Sequence, residues 1–246
     1  MTNVHPNRPA PLGDALSSDS LAQRIRAAGL DWIAPDWPAP SGVHAFVTTR
    51  NGGVSPEAFL PAPPVRLTQV HGTDVVAAPG ASRSPRADAA VTFEPNVVLA
   101  VRVADCMPVL FADRAGSAIG IAHAGWRGMA AGVLENTIAA MSREPSQVFA
   151  WLGPAIGRSA FEVGADVRDA FVGADPGAQK AFADVRPGKW LADLEALARM
   201  RLTRAGVNAI HGGRMCTASE PARFFSFRRD GTSGRMEAFL WREAPR

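Results

Sequence analysis

Apolar residues along the chain fall into short runs of four to eight positions separated by glycine, proline and polar clusters, a pattern of buried strands with few long helices. Runs of this kind predict strands at Val43 to Thr49, Val65 to Val70, Val75–Val76, Ala89 to Phe93, Val97 to Ala104, Ala118 to Ala122, Phe149 to Leu152 and Val207 to Ile210. A three-and-four spacing predicts a short helix over Leu21 to Ala28 and a longer one from Gly128, where Met129, Val133, Leu134, Thr137, Ile138 and Met141 share a face. Two more helices are expected over Phe161 to Phe171 and along Leu191, Leu194, Leu197, Ala198, Arg201 and Leu202, the last ended by Gly206. A hairpin of Arg223 to Arg229 with Met236 to Trp241 is expected around Asp230 to Gly234. Residues 54 to 64 carry four prolines and read as a loop, and residues 1 to 18 as a disordered arm ahead of a single domain from 19 to 246. Strands and helices mix without strict βαβ alternation, so the expected class is α+β with mixed sheets.

Length supports that reading, since 246 residues bury a sizeable core without disulfides. The 47% hydrophobic and 20% charged content is that of an ordinary globular chain, and no apolar stretch approaches the roughly 20 residues of a membrane helix. A net charge of +3 leaves no nucleic-acid footprint. Two cysteines, Cys106 and Cys216, are too few for a secreted disulfide scaffold, and the start lacks a secretion-signal pattern, so a reducing cytoplasm is the expected location.

Candidate chemistry concentrates between Val97 and Met141. One apolar run leads to Asp105-Cys106 and another to His123-Ala124-Gly125-Trp126-Arg127-Gly128, while His71 sits at a strand break before Gly72. Each of these three side chains alone reads most simply as a core or solvated residue. Taken together, His71, Cys106 and His123 form a dispersed set unlike the tight pairs of structural zinc fingers. Three protein ligands would leave a coordination position open, as catalytic zinc sites do. Arg50, Arg127 and Arg228 are candidates for holding phosphate, because a guanidinium fork matches an oxyanion, and Asp105 is a candidate for orienting a ligand. A glycine pattern at 120 to 125 imitates a dinucleotide fingerprint, but Ala122 occupies the middle glycine position.

The stretches QVHGTDVV (69 to 76), ADAAVT (87 to 92), AVRVADCMPVLFAD (100 to 113), AHAGWRGMAAGVLENTI (122 to 138), LGPAIGRSAFEVGADV (152 to 167) and CTASEPARFFSFRRDGTSGRMEAFLW (216 to 241) resemble, in order, the motifs of the laccase-domain family of purine nucleoside phosphorylases, also called the polyphenol oxidase or YfiH-like family. The resemblance implies a four-layer α/β/β/α fold and a catalytic zinc on His71, Cys106 and His123. It also implies phosphorolysis of adenosine, inosine, guanosine and methylthioadenosine, together with adenosine deamination. Purine nucleosides and phosphate would then be the partners, with the chain a monomer or small homo-oligomer. Copper fits the set less well than zinc, since a multicopper centre needs far more imidazoles than five. Two departures bear on the site. After Ser55 the family has a much longer segment where this chain has only PEAFLPAPPVRLT, and Phe227 stands where the family usually has tyrosine. A cysteine hydrolase using Cys106 as nucleophile, and a silent binding protein whose pocket wall is lost, are the alternative readings.

Overall fold

The computed structural model describes residues 18–80, 82, 84–231 and 234–244; all but the last residue of the expected N-terminal arm, His5 included, lies outside them. Strands run in the order β1 (Val43–Val47), β2 (Val65–Arg66), β3 (Val75–Ala77), β4 (Ala89–Thr92), β5 (Leu99–Val103), β6 (Met107–Asp113), β7 (Ile119–Ala124), β8 (Val148–Leu152), β9 (Glu162–Val163), β10 (Phe182–Arg186), β11 (Lys189–Ala192), β12 (Ala209–Gly212) and β13 (Met236–Arg242). Helices are α1 (Ser18–Ala27), α2 (Trp126–Ala131), α3 (Val133–Ala140), α4 (Ala165–Val172), α5 (Leu194–Arg204) and α6 (Phe227–Asp230). None is long and apolar enough to cross a membrane.

Two mixed sheets form the centre, one in the order β1-β13-β5-β2 and one in the order β12-β8-β6-β7-β4-β3. The two-residue period of each strand sends alternate side chains to opposite layers. On β6, Leu110 and Ala112 join Val101, Val103, Ala238 and Leu240 of the other sheet, so the two sheets pack face to face. Val109 and Phe111 point the other way, onto Met129, Val133, Leu134 and Ile138 of α2 and α3. The outer face of the smaller sheet is covered in turn by Leu21 and Ile25 of α1, packed with Phe46, Ala100, Phe239 and Trp241. The layers are therefore helix, sheet, sheet, helix, with a short β10-β11-β9 sheet beside the main helical layer.

Several expected elements differ. The helix expected from Gly128 starts two residues earlier, at Trp126, and breaks at Gly132, whose φ of 110° is a left-handed conformation that a glycine adopts freely. Leu191 belongs to a strand, because the Asp193 carboxylate accepts a hydrogen bond from the Ala196 N–H and starts α5 only at Leu194. The expected 161–171 helix starts at Ala165, after a strand at Glu162–Val163. Arg223 to Arg229 is no hairpin arm: Ser226 caps the short α6 through the Arg229 N–H. The other arm, β13, pairs with β1 and β5. Met107–Asp113, left unassigned by the periodicity, is the middle of the larger sheet, flanked by β7 and β8. The short 54–64 segment turns at Pro56–Phe59 and buries Phe59 and Leu60 against the α1 layer.

Candidate metal centre

The sheet edge that carries the site is made by the register. Pro108 of β6 stands opposite His123 of β7, and β4 pairs with β7 from Ala89 opposite Ala122, so the β5–β6 turn, the end of β7 and the start of β4 meet. The β2–β3 loop adds His71. The ligand atoms of His71, Cys106 and His123 all lie within 4.8 Å of one another. The Cys106 Sγ is 3.9 Å from His71 Nε2, and the two imidazoles meet edge to face with ring centroids 4.9 Å apart. Bonds of about 2.0–2.3 Å to nitrogen and sulfur bring such a trio within small side-chain movements of one ion. Two imidazoles and a thiol also form a donor set suited to a borderline-soft metal.

Two residues here adopt left-handed backbone conformations without being glycine, His71 with φ 60° and Asp105 with φ 86°. Such strain persists where surrounding bonds over-determine the chain. At His71 the fixing group is Asp88, a fully buried carboxylate. It accepts the backbone N–H groups of Val70 (3.0 Å), His71 (2.9 Å) and Gly72 (2.7 Å), and its Oδ1 also takes the Nδ1–H of His123 at 2.8 Å. One carboxylate thus folds the His71 loop and fixes the His123 tautomer, leaving Nε2 to face Cys106. Asp88 is not among the candidates that the motifs single out. The signal was available: an acid in the apolar run Ala87-Asp88-Ala89-Ala90-Val91 is buried with its neighbours and must find partners there.

Among the described residues, no hydrogen bond joins the Asp105 carboxylate to His71, Cys106 or His123. That carboxylate accepts the Thr217 hydroxyl (2.6 Å) and the Arg228 N–H (2.6 Å), and so braces the strained turn that presents Cys106. The opposite side is closed by α2. A Cβ on Gly125 would meet Cys106 Sγ at 2.9 Å, and one on Gly128 would meet the Gly72 carbonyl oxygen at 2.7 Å, so both positions need the absence of a side chain.

The electrostatics are those of an ion-pair cluster. Burial pushes the Cys106 thiol up, but His123 and His71 outweigh it and bring the pKa down to about 6. Burial likewise opposes a charged His123, yet Asp88 and Cys106 raise its pKa to about 9. Desolvation disfavours ionised Asp88, and its hydrogen bonds from His123 and the backbone overcome that and lower its pKa.

The trio opens into a cavity of about 700 Å³, whose wall includes Gln69, Arg102, Phe161, Phe227 and Arg228. Of the three arginines expected to hold phosphate, Arg228 lines it, with its guanidinium donating to the carbonyls of Ala160 and Glu162. Arg127 lies over the Trp126 ring, away from the cavity wall. Arg50 lines a neighbouring groove of about 470 Å³ and donates to the Pro221 carbonyl. Cys216 is bonded to the Gly157 N–H and Ser219 and stands apart from the trio.

The pattern of a family described as multi-copper polyphenol oxidoreductase laccase matches residues 59–243. Among proteins similar to this chain, "Purine nucleoside phosphorylase PA4543" of Pseudomonas aeruginosa is 46% identical over 237 residues, covering 85% of this chain and 98% of its own. "Purine nucleoside phosphorylase YfiH" of Escherichia coli is 46% identical over 239 residues, with the same shares. The aligned lengths exceed 85% of a 246-residue chain, so these relatives carry residues with no counterpart here. Among solved structures, Neisseria meningitidis protein NMB0706 superposes with a TM-score of 0.80 at 46% identity, covering 87% of this chain and all of that one. YlmD from Geobacillus stearothermophilus does so with a TM-score of 0.78 at 30% identity, covering 87% and 96%.

Proposed function

The chain belongs to the laccase-like family of multi-copper polyphenol oxidoreductase description, and from that membership we propose that it is a zinc-dependent purine nucleoside phosphorylase that also deaminates adenosine. The observation that carries the reading is the convergence of His71, Cys106 and His123 at the floor of one cavity, in a chain 46% identical to relatives named for that phosphorolysis. Zinc held by His71, Cys106 and His123 would supply Lewis acidity toward a substrate oxygen.

The chain's own residues do the rest. Asp88 holds a proton on His123 Nδ1, so Nε2 is the nitrogen that acts as a ligand once its own proton has left. Phe161 and Phe227 line one side of the cavity and offer flat apolar surface to a purine, which suits adenosine, inosine, guanosine and methylthioadenosine alike. In phosphorolysis a phosphate oxygen bonds to C1′ of the ribose as the bond from C1′ to the base nitrogen breaks, and the base leaves with a proton. In deamination water replaces the amino group at C6 of adenine, releasing ammonia. The 54–64 segment packs on the α1 layer and is not part of the cavity wall, while His71, Cys106 and His123 stand together at the floor. Zinc bound with no turnover of any nucleoside would instead point to a silent binding protein.

Purified protein incubated with adenosine tests the reading. Adenine that forms only with phosphate, inosine that forms without it, and loss of both on chelation with recovery on zinc but not copper are the expected results. Absence of either product from zinc-loaded protein would overturn the corresponding activity.

A cysteine hydrolase is the second reading, favoured by the thiol of Cys106 lying 3.9 Å from His71 Nε2 in a cluster that stabilises the thiolate. Amide hydrolysis by metal-free protein, lost when Cys106 is alkylated, would establish it instead.

A further inference from the structure

We propose, building on the phosphorylase reading, that Arg102 is the residue that receives inorganic phosphate. It lies on β5, four residues before Cys106, and lines both the cavity above the trio and the adjoining groove. An anion entering from either side therefore meets it.

Three arrangements set this arginine apart. Its backbone is gripped on both sides by one side chain: the Arg102 N–H donates to Gln69 Oε1 at 2.8 Å, and Gln69 Nε2 donates to the Arg102 carbonyl at 2.8 Å. Gln69 is two residues from His71, so the root of the arginine is tied to a segment that carries a ligand. The carboxylate opposite Arg102 on β13, that of Glu237, is turned to another cation: Arg66 takes it through Nε at 2.9 Å and through a second nitrogen at 3.2 Å. Finally, the Arg102 side chain is exposed, and among the described residues its guanidinium has no hydrogen bond or ion pair. Arg228, by contrast, is already held by its Nη1 on the Ala160 and Glu162 carbonyls.

A guanidinium at a cavity wall, fixed at its root and with its fork unengaged, matches two oxygens of a phosphate. From there the phosphate presents a third oxygen toward C1′ of a nucleoside held over the trio. The bond from that oxygen to C1′ forms as the bond from C1′ to the base breaks, and the base carries away a proton. Arg102 takes part as a binding cation and exchanges no proton.

The test uses the full-length zinc-loaded protein with Arg102→Gln and Arg102→Lys. For Arg102→Gln the KM for phosphate rises by roughly 10- to 100-fold, the range for loss of a charged hydrogen-bond donor, while the KM for adenosine stays at the wild-type value. Arg102→Lys, which keeps the charge without the fork, recovers part of the loss. Calorimetric titration with inorganic phosphate alone shows the same weakening and needs no turnover. Unchanged phosphate affinity in Arg102→Gln, or KM values for phosphate and adenosine that rise together, would overturn the proposal. If wild-type protein released no base yet bound phosphate through Arg102, the phosphorylase reading would fail and the anion site would stand. If it released base and bound phosphate equally well with and without Arg102, the reverse would hold.

Discussion

Replacing Asp88 by asparagine tests how the site is built with the least change in shape. The carboxylate accepts four hydrogen bonds in a fully buried position, two on each oxygen. An asparagine oxygen placed at the Oδ2 position keeps the Val70 and Gly72 N–H groups but turns an amide NH₂ toward the His71 N–H and His123 Nδ1. The charge-assisted bond from the His71 N–H is then lost, and the one at His123 is replaced by a neutral bond in which Nδ1 accepts, so unfolding free energy should fall by about 2–4 kcal/mol. The imidazole responds as well: with a donor facing Nδ1, His123 takes its proton on Nε2 and can no longer offer that nitrogen to an ion. Loss of such an orienting partner costs about 10- to 100-fold in metal affinity. Urea denaturation of the metal-free protein measures the first effect, and zinc competition against a chromogenic chelator the second. Asp88→Asn with wild-type stability and wild-type zinc affinity would refute the reasoning. Lost stability with intact zinc affinity would confine Asp88 to holding the loop.

Gly125→Ala should abolish zinc retention, since its Cβ has no room beside Cys106 Sγ and the His71 ring; full zinc content by elemental analysis would contradict this. His44 is buried against Trp241, and burial lowers its pKa despite Glu243 at 3.2 Å. Because the folded state then takes its proton at lower pH than the unfolded chain, His44 costs no stability above about pH 6.5 and a growing amount below it, with a slope of at most about 1.4 kcal/mol per pH unit. His44→Phe should flatten the denaturation midpoint between about pH 7 and about pH 5; an unaltered slope would contradict the assignment. Phe46→Ala removes a ring stacked on Trp32 at 5.1 Å and packed on Phe239, and should cost about 3–5 kcal/mol in the same denaturation assay; a loss below about 1 kcal/mol would show that the α1 layer collapses into the gap.

The strands at Val43–Val47, Leu99–Val103 and Val148–Leu152 were legible because their apolar runs are nearly or wholly buried, being covered by other layers on both faces. β6 was not, although it is wholly buried, because Pro108 interrupts its apolar run. The proline is tolerated because pairing with β8 starts only at Val109, so no N–H is required of it on that side. Capping decided two of the other differences: Asp193 and Ser226 start helices by side-chain bonds that periodicity does not register. At the site, the trio was recognisable by residue type and motif. Asp88 and Arg102 were not, because their roles rest on which backbone groups and opposing carboxylates remain unclaimed, and only the pairing of distant strands decides that.

The four bonds to Asp88 also fix an order of events. A classical zinc finger is shaped by its ion, but here the bend at residue 71 and the tilt of the ring at residue 123 are set by a buried acid that belongs to the protein itself. Donors drawn from segments up to 52 positions apart meet only once the two sheets have closed. Such a cradle is finished before it is filled, so an ion held there as proposed should leave and return without the chain coming apart.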